Sequence, residues 1–219
     1  MLDRPPESSA FYSCMLSVAY RFLFPILALA AVLAFLHFPT TALVLVLLGA
    51  FVCYFFRNPK REIPAGDHLI VSPADGKVVD VSPLPDPNGQ FQGHSISIFL
   101  RIYDVHVNRS PIDGELQALE YRRGRFKVAA RQEASRVNEQ NILRIQGRGI
   151  EVTVKQIAGF IARRVVCWKS PGSALKRGEL IGLIRFGSRV DILVPPQVKV
   201  EVKVGDLVKG GSSVLGSWV

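Results

Sequence analysis

Three residues stand where their types are out of keeping with their neighbours: a serine, a histidine and an aspartate. Ser188 follows Gly187 inside Leu183-Ile184-Arg185-Phe186-Gly187-Ser188-Arg189-Val190-Asp191, a run that otherwise reads as an apolar strand. Glycine weakens a strand and often marks a bulge or a close backbone approach, so the dipeptide alone is accounted for by a bulge or hairpin edge. His106 closes an alternating run in which Ile96, Ile98, Leu100 and Ile102 share one face. Continuing that parity puts Asp104 and His106 on the same core-directed face, although a bulge would reverse it, because Tyr103, Val105 and Val107 are apolar too. Asp75 sits in Ser72-Pro73-Ala74-Asp75-Gly76, a turn by its Pro and Asp-Gly chemistry. A serine becomes a nucleophile when an imidazole takes its proton and a carboxylate orients that imidazole. Ser188, His106 and Asp75 supply one group of each type, with Asp104 a rival orienter. Taken singly, each has a plainer reading as bulge, core histidine or turn residue. No G-x-S-x-G elbow is present, which disfavours a hydrolase of that kind.

The elements that must position these groups divide in two. From Phe22 to Leu36, and again from Ala42 to Phe56, no charged residue occurs. Each run is shorter than the roughly 20 residues that cross a bilayer core. Together they predict a helical hairpin with Pro39 and two threonines at its turn. Arg21 before it and Arg57, Lys60 and Arg61 after it place both ends on the cytoplasmic side. A cleaved signal peptide and a buried soluble hairpin are the rival readings. From His68 onward the pattern turns to period two: Leu69-Ile70-Val71, Lys77 to Val81, Ser95 to Val107, Ile150 to Ile157, Leu180 to Val194 and Lys199 to Val204 read as strands. Residues 120–147, basic and amide-rich, predict short strands at best. Short strands with turn signals at close intervals predict a mainly β barrel or sandwich, and the Gly205-Asp206 and Gly210-Gly211 punctuation is similar to biotinyl/lipoyl-type modules. The expected organisation is a membrane-associated helical hairpin with its basic flank over 1–61 and a β-rich catalytic domain over 62–219.

Composition narrows the chemistry. The chain has 219 residues, 48% hydrophobic and 21% charged, enough for a sizeable core. Its mean hydropathy of +0.24 is concentrated in the hairpin. Three dispersed cysteines and four scattered histidines form no metal-ligand spacing and no disulfide framework, so no metal is expected. A net charge of +9 calls for an anionic partner. No recognition-helix, RRM or zinc-finger pattern accompanies it. The Arg57–Arg61 cluster abuts the hairpin, which favours a membrane surface over nucleic acid.

Ser72-Pro73-Ala74-Asp75-Gly76-Lys77-Val78, Asp104-Val105-His106-Val107-Asn108-Arg109-Ser110-Pro111 and Phe186-Gly187-Ser188-Arg189-Val190-Asp191 closely resemble the short bacterial form of phosphatidylserine decarboxylase. Phe56-Arg57-Asn58-Pro59, Asn138-Glu139 and Lys176-Arg177-Gly178-Glu179 match as well, in the expected order. The resemblance implies a proenzyme that cuts itself between Gly187 and Ser188, giving a β chain (1–187) and an α chain (188–219) that stay together as a heterodimer. His106 would serve as base and Asp75 as its orienting carboxylate. Ser188 would become a pyruvoyl group, which forms a Schiff base with the serine headgroup of phosphatidylserine and accepts the electrons freed when CO₂ leaves. His106 would also return a proton to the substrate. The product would be phosphatidylethanolamine, made at the cytoplasmic face of the cell membrane, with a homo-oligomer left open. Two rival readings are a decarboxylase of a related phosphoserine lipid and a membrane-anchored biotinyl/lipoyl-like adaptor without catalysis.

Overall fold

Strands of alternating branched and polar residues build most of the chain, and each buries its branched face against the next. The computed structural model describes residues 17–85, 91–127, 133–159, 164–185 and 188–218. Two compact units emerge, Met1–Lys60 and Arg61–Val219.

The first unit is a pair of helices, α1 (Tyr20–Phe35) and α2 (Pro39–Phe55). Pro39 opens α2 rather than sitting in the turn; its missing N–H costs nothing at a first helical position. Gly49 lets the helices approach, since a Cβ there would lie 3.3 Å from Leu23 Cδ1. The outer surface is almost wholly apolar, with Phe24 66%, Phe35 83%, Val44 62% and Leu47 61% exposed. Among the described residues no helix is long and apolar enough to cross a membrane.

The second unit is mainly β. Its strands are β1 (Leu69–Val71), β2 (Gly76–Pro85), β3 (Phe91–Leu100), β4 (Val107–Arg109), β5 (Gly114–Arg122), β6 (Gln140–Gly147), β7 (Ile150–Ile157), β8 (Val165–Cys167), β9 (Ala174–Leu175), β10 (Leu180–Ile184), β11 (Ser188–Val194), β12 (Val198–Val200), β13 (Leu207–Val208) and β14 (Val214–Trp218), with a one-turn helix α3 (Ala134–Val137). An eight-stranded sheet runs β13-β2-β3-β11-β7-β6-β5-β9, and two three-stranded sheets run β1-β14-β12 and β4-β10-β8. All neighbouring strands in the large sheet are antiparallel among the described residues. Ile96, Ile98, Leu100, Leu143, Ile145, Val152, Val154, Val190 and Ile192 form its core, each no more than 1% exposed.

Two stretches differ from the sequence expectation. The Ser95–Val107 strand stops at Leu100, because Asp104 Oδ2 accepts from the backbone N–H of Arg101 at 2.8 Å and closes a turn. Ile102 is consequently 44% exposed. Residues 120–147 contain long rather than short strands: β5 and β6 pair over seven positions from Glu115↔Gln146 to Arg122↔Gln140.

Candidate active site

The C-terminal end of β3 is where the three candidate residues converge. On one side β2 pairs Lys77 with Phe99, and on the other β11 pairs Ser188 with Leu100. Gly76 makes the first approach feasible: it has φ +154, and a Cβ there would fall 2.3 Å from Phe99 O. Asp75 therefore arrives at one flank of the strand end, Ser188 at the other, and the turn from Arg101 to His106 continues the strand between them.

Ser188 is the first residue of β11 and fully buried, and its Oγ has no hydrogen-bond partner among the described residues. Gly187, the other half of the expected cleavage site, lies outside the described residues. His106 is also fully buried. Its main-chain carbonyl accepts from Ile184 N at 3.3 Å, which ties it to the strand that leads into the 185–187 connection. His106 and Ser188 thus stand at the two ends of that connection.

One contact that orients the imidazole is to the main chain. His106 Nδ1 lies 2.9 Å from the Asp104 main-chain oxygen. A carbonyl oxygen only accepts, so Nδ1 carries the hydrogen and Nε2 is the basic nitrogen of the neutral ring. The Asp104 carboxylate is held by Arg101, whose Nε and Nη2 donate at 2.9 and 3.1 Å. Asp75 instead accepts from Arg61 Nη2 at 2.6 Å and from Gly210 N at 2.8 Å. Its turn is pinned by Arg109 N to Pro73 O and Gly211 N to Ser72 O. Burial raises the Asp75 pKa, with the Arg61 guanidinium pulling the other way. Arg109 is lowered to about 10, first by burial and then by the neighbouring Arg61 charge, with Asp75 opposing. Arg61, Arg109 and Asp75 form one partly buried cluster with more positive than negative charge.

The charges beside Ser188 point the other way across the strand. Arg189 and Asp191, 3% and 2% exposed, pair at 2.6 Å. Arg189 Nη2 also donates to Ser97 Oγ at 2.6 Å, and Ser135 Oγ, carried by α3, donates to Asp191. This pair locks β11 to β3 on the face opposite the core.

Comparison with known proteins identifies the family. The family model for phosphatidylserine decarboxylase matches residues 48–216. A protein of Solibacter usitatus named phosphatidylserine decarboxylase proenzyme is 50% identical over 86% of this chain and 89% of its own length. Proteins of the same name from Carboxydothermus hydrogenoformans and Aromatoleum aromaticum are each 46% identical, over 80% and 77% of this chain and 83% and 79% of their own lengths. The chain belongs to the phosphatidylserine decarboxylase family.

For this phosphatidylserine decarboxylase family member, one buried set of linked amides escaped the sequence reading. Asn141 Nδ2 donates to Gln156 Oε1 at 3.1 Å, and Gln156 Nε2 donates to Asn108 Oδ1 at 2.8 Å. Gln156 and Asn108 are fully buried, and Asn141 is 5% exposed. Strand parity carried the signal: Ile150, Val152 and Val154 point inward, and two residues on comes Gln156.

Proposed function

We propose that this chain is a self-cleaving proenzyme that becomes a pyruvoyl-dependent phosphatidylserine decarboxylase, releasing CO₂ and phosphatidylethanolamine. The observation that carries the reading is Ser188 Oγ, fully buried at the start of β11 and without a hydrogen-bond partner among the described residues. A buried hydroxyl left unbonded costs about 1–3 kcal/mol, a cost with a purpose if the oxygen is to react. The same orphan oxygen fits a pyruvoyl group made in place. His106 Nε2 takes the Oγ proton while the Asp104 carbonyl holds the tautomer. Oγ bonds to the Gly187 carbonyl carbon, the peptide C–N bond breaks, and the proton passes to the freed nitrogen of residue 188. Loss of the residue-188 Cα proton then expels the Gly187 carboxylate, and hydrolysis of the resulting dehydroalanine releases ammonia.

When formed, the pyruvoyl carbonyl supplies the electron sink for decarboxylation. The rest falls to side chains. Buried His106 is suited to return a proton to the substrate carbon, since its ordinary pKa lies near working pH. The net positive Arg61–Arg109–Asp75 cluster is suited to an anionic headgroup. The apolar hairpin, with its large rings exposed, is suited to insertion in the cytoplasmic leaflet beside the lipid substrate. The β chain (1–187) and α chain (188–219) would remain a heterodimer. A biotinyl/lipoyl-like adaptor would share the hairpin but gives no role to buried Ser188 or His106.

Intact mass tests the reading. The purified protein should appear as two fragments, the smaller about 3.4 kDa for the 32 residues 188–219, with a blocked N-terminus. Ser188→Ala should remain whole. A single 24.2 kDa species from wild-type culture would overturn the proposal.

A further inference from the structure

Two buried polar groups in the interior of the β unit have no hydrogen-bond partner among the described residues and bear on Ser188: its own Oγ and Asn108 Nδ2. We propose that Asn108 Nδ2 is the donor that stabilises the oxyanion Ser188 Oγ creates on the carbonyl it attacks. This rests on the self-cleavage reading above and adds a catalytic residue to it.

The orientation of the Asn108 amide follows from its neighbours. Gln156 Nε2 reaches Val166 O at 3.4 Å as well as Asn108 Oδ1. A main-chain carbonyl accepts only, so that end of Gln156 is the NH₂ group and its partner on Asn108 is the oxygen. Asn141, Gln156 and Asn108 therefore form a chain of amides, each N–H donating to the next oxygen, and the chain ends on the unpaired NH₂ of Asn108. Successive bonds of this kind polarise one another, which makes the terminal N–H a better donor.

The register aims this donor at the Ser188 side. Gln156 lies directly opposite Val190 in the β7–β11 pair, and opposite residues of an antiparallel pair share a face. Val190 and Ser188 are two apart on one strand and share that face too. On the layer above, Asn108 pairs with Gly182, while His106 is bonded to Ile184. Gly182 itself admits no side chain: a Cβ would lie 2.2 Å from Val166 O and 2.7 Å from Gln156 Nε2. Base and donor thus follow one another along β10 toward the strand that Ser188 begins.

The chemistry balances without an added reagent. As Oγ bonds to the carbonyl carbon and His106 takes the proton, the carbonyl oxygen gains the negative charge, which the Asn108 N–H receives. When the C–N bond breaks, the charge returns to re-form the carbonyl of the ester, and His106 gives its proton to the nitrogen. An uncharged donor fits this step, because the charge it meets is transient and the site is otherwise dry.

The test follows conversion of the full-length chain to two fragments by intact mass during cell-free synthesis. Loss of an oxyanion donor slows reaction by about 10²–10³-fold, so Asn108→Leu and Asn108→Asp should cleave at least ~100-fold more slowly than wild type. Asn108→Ser, which keeps a hydroxyl donor, should lose only about tenfold. A packing role sets no such order, since Leu overpacks and Ser leaves a cavity, and it predicts near-wild-type cleavage for the isosteric Asn108→Asp. Asn108→Asp keeps both shape and the acceptor for Gln156, so it decides the matter should Asn108→Leu fail to fold. Cleavage of Asn108→Asp within about threefold of wild type, or Ser slower than Leu, overturns the proposal. Persistent cleavage in Ser188→Ala would overturn the self-cleavage reading instead.

Discussion

Asp191→Asn removes one charge from the buried pair behind Ser188 while keeping the side-chain shape. In the native chain Arg189 is neutralised by Asp191 at 2.6 Å and bonded to Ser97 at 2.6 Å, and both charged residues are at most 3% exposed. Solvent therefore cannot take over from the lost carboxylate. Breaking a buried pair by removing one partner costs about 3–5 kcal/mol. For a domain the size of Arg61–Val219, each kcal/mol moves Tm by about 2–4 °C, so a fall of roughly 10 °C is expected. The assay is thermal unfolding by circular dichroism, in a Ser188→Ala background so that every chain is uncut. The double variant Arg189→Met/Asp191→Leu removes both charges and should recover to within about 1 kcal/mol of the parent. A loss under about 1 kcal/mol in the single variant, or a double variant worse than the single, would refute the view that this pair is a dry lock whose cost lies in separation.

Other outcomes follow from the same geometry. His106→Ala should abolish cleavage, whereas Asp104→Ala, which leaves the orienting main-chain oxygen in place, should slow it less than about tenfold; intact-mass time courses compare the two. Gly182→Ala should destabilise by about 1–3 kcal/mol or more, through overpacking against Val166 O, read by urea unfolding. Burial raises the Asp75 pKa, so the folded chain holds that proton more tightly than the unfolded one. Its contribution to stability is present at and below the ordinary carboxylate range and is lost as pH climbs through the raised value. Asp75→Asn should flatten that part of the stability–pH curve, and an unchanged slope would sink the assignment. Deleting Met1–Lys60 should release the β unit from sedimented anionic vesicles while the full chain stays bound.

Strand parity made much of the β unit readable in advance. Ile96, Ile98 and Leu100 do face inward, and all are buried. It failed where a side chain bonds to backbone: the Asp104–Arg101 turn ends β3, and no alternation of apolar residues can reveal such a bond. The main-chain contact of His106 was hidden for a related reason. An inventory of side chains offers Asp75 and Asp104 as carboxylates but cannot show that a main-chain oxygen sits 2.9 Å from Nδ1. Amide-rich composition also misled over 120–147, because Asn141 is satisfied inside the sheet by Gln156 and β6 runs straight through it. Pairing across a distance of fifteen residues makes that asparagine a strand residue. Composition alone predicted short strands at best.

The place of β11 in the sheet has a consequence for the life of the molecule. It lies between β3 and β7, bonded to both, and of the strands after it β13 joins the edge of the same sheet while β12 and β14 pair in the β1-β14-β12 sheet. A cut before Ser188 therefore frees no surface piece; it severs the covalent link to a plank in the middle of the floor. With the cut proposed above, a fold assembled from one continuous chain would afterwards be carried by two, and refolding after denaturation would become a bimolecular event.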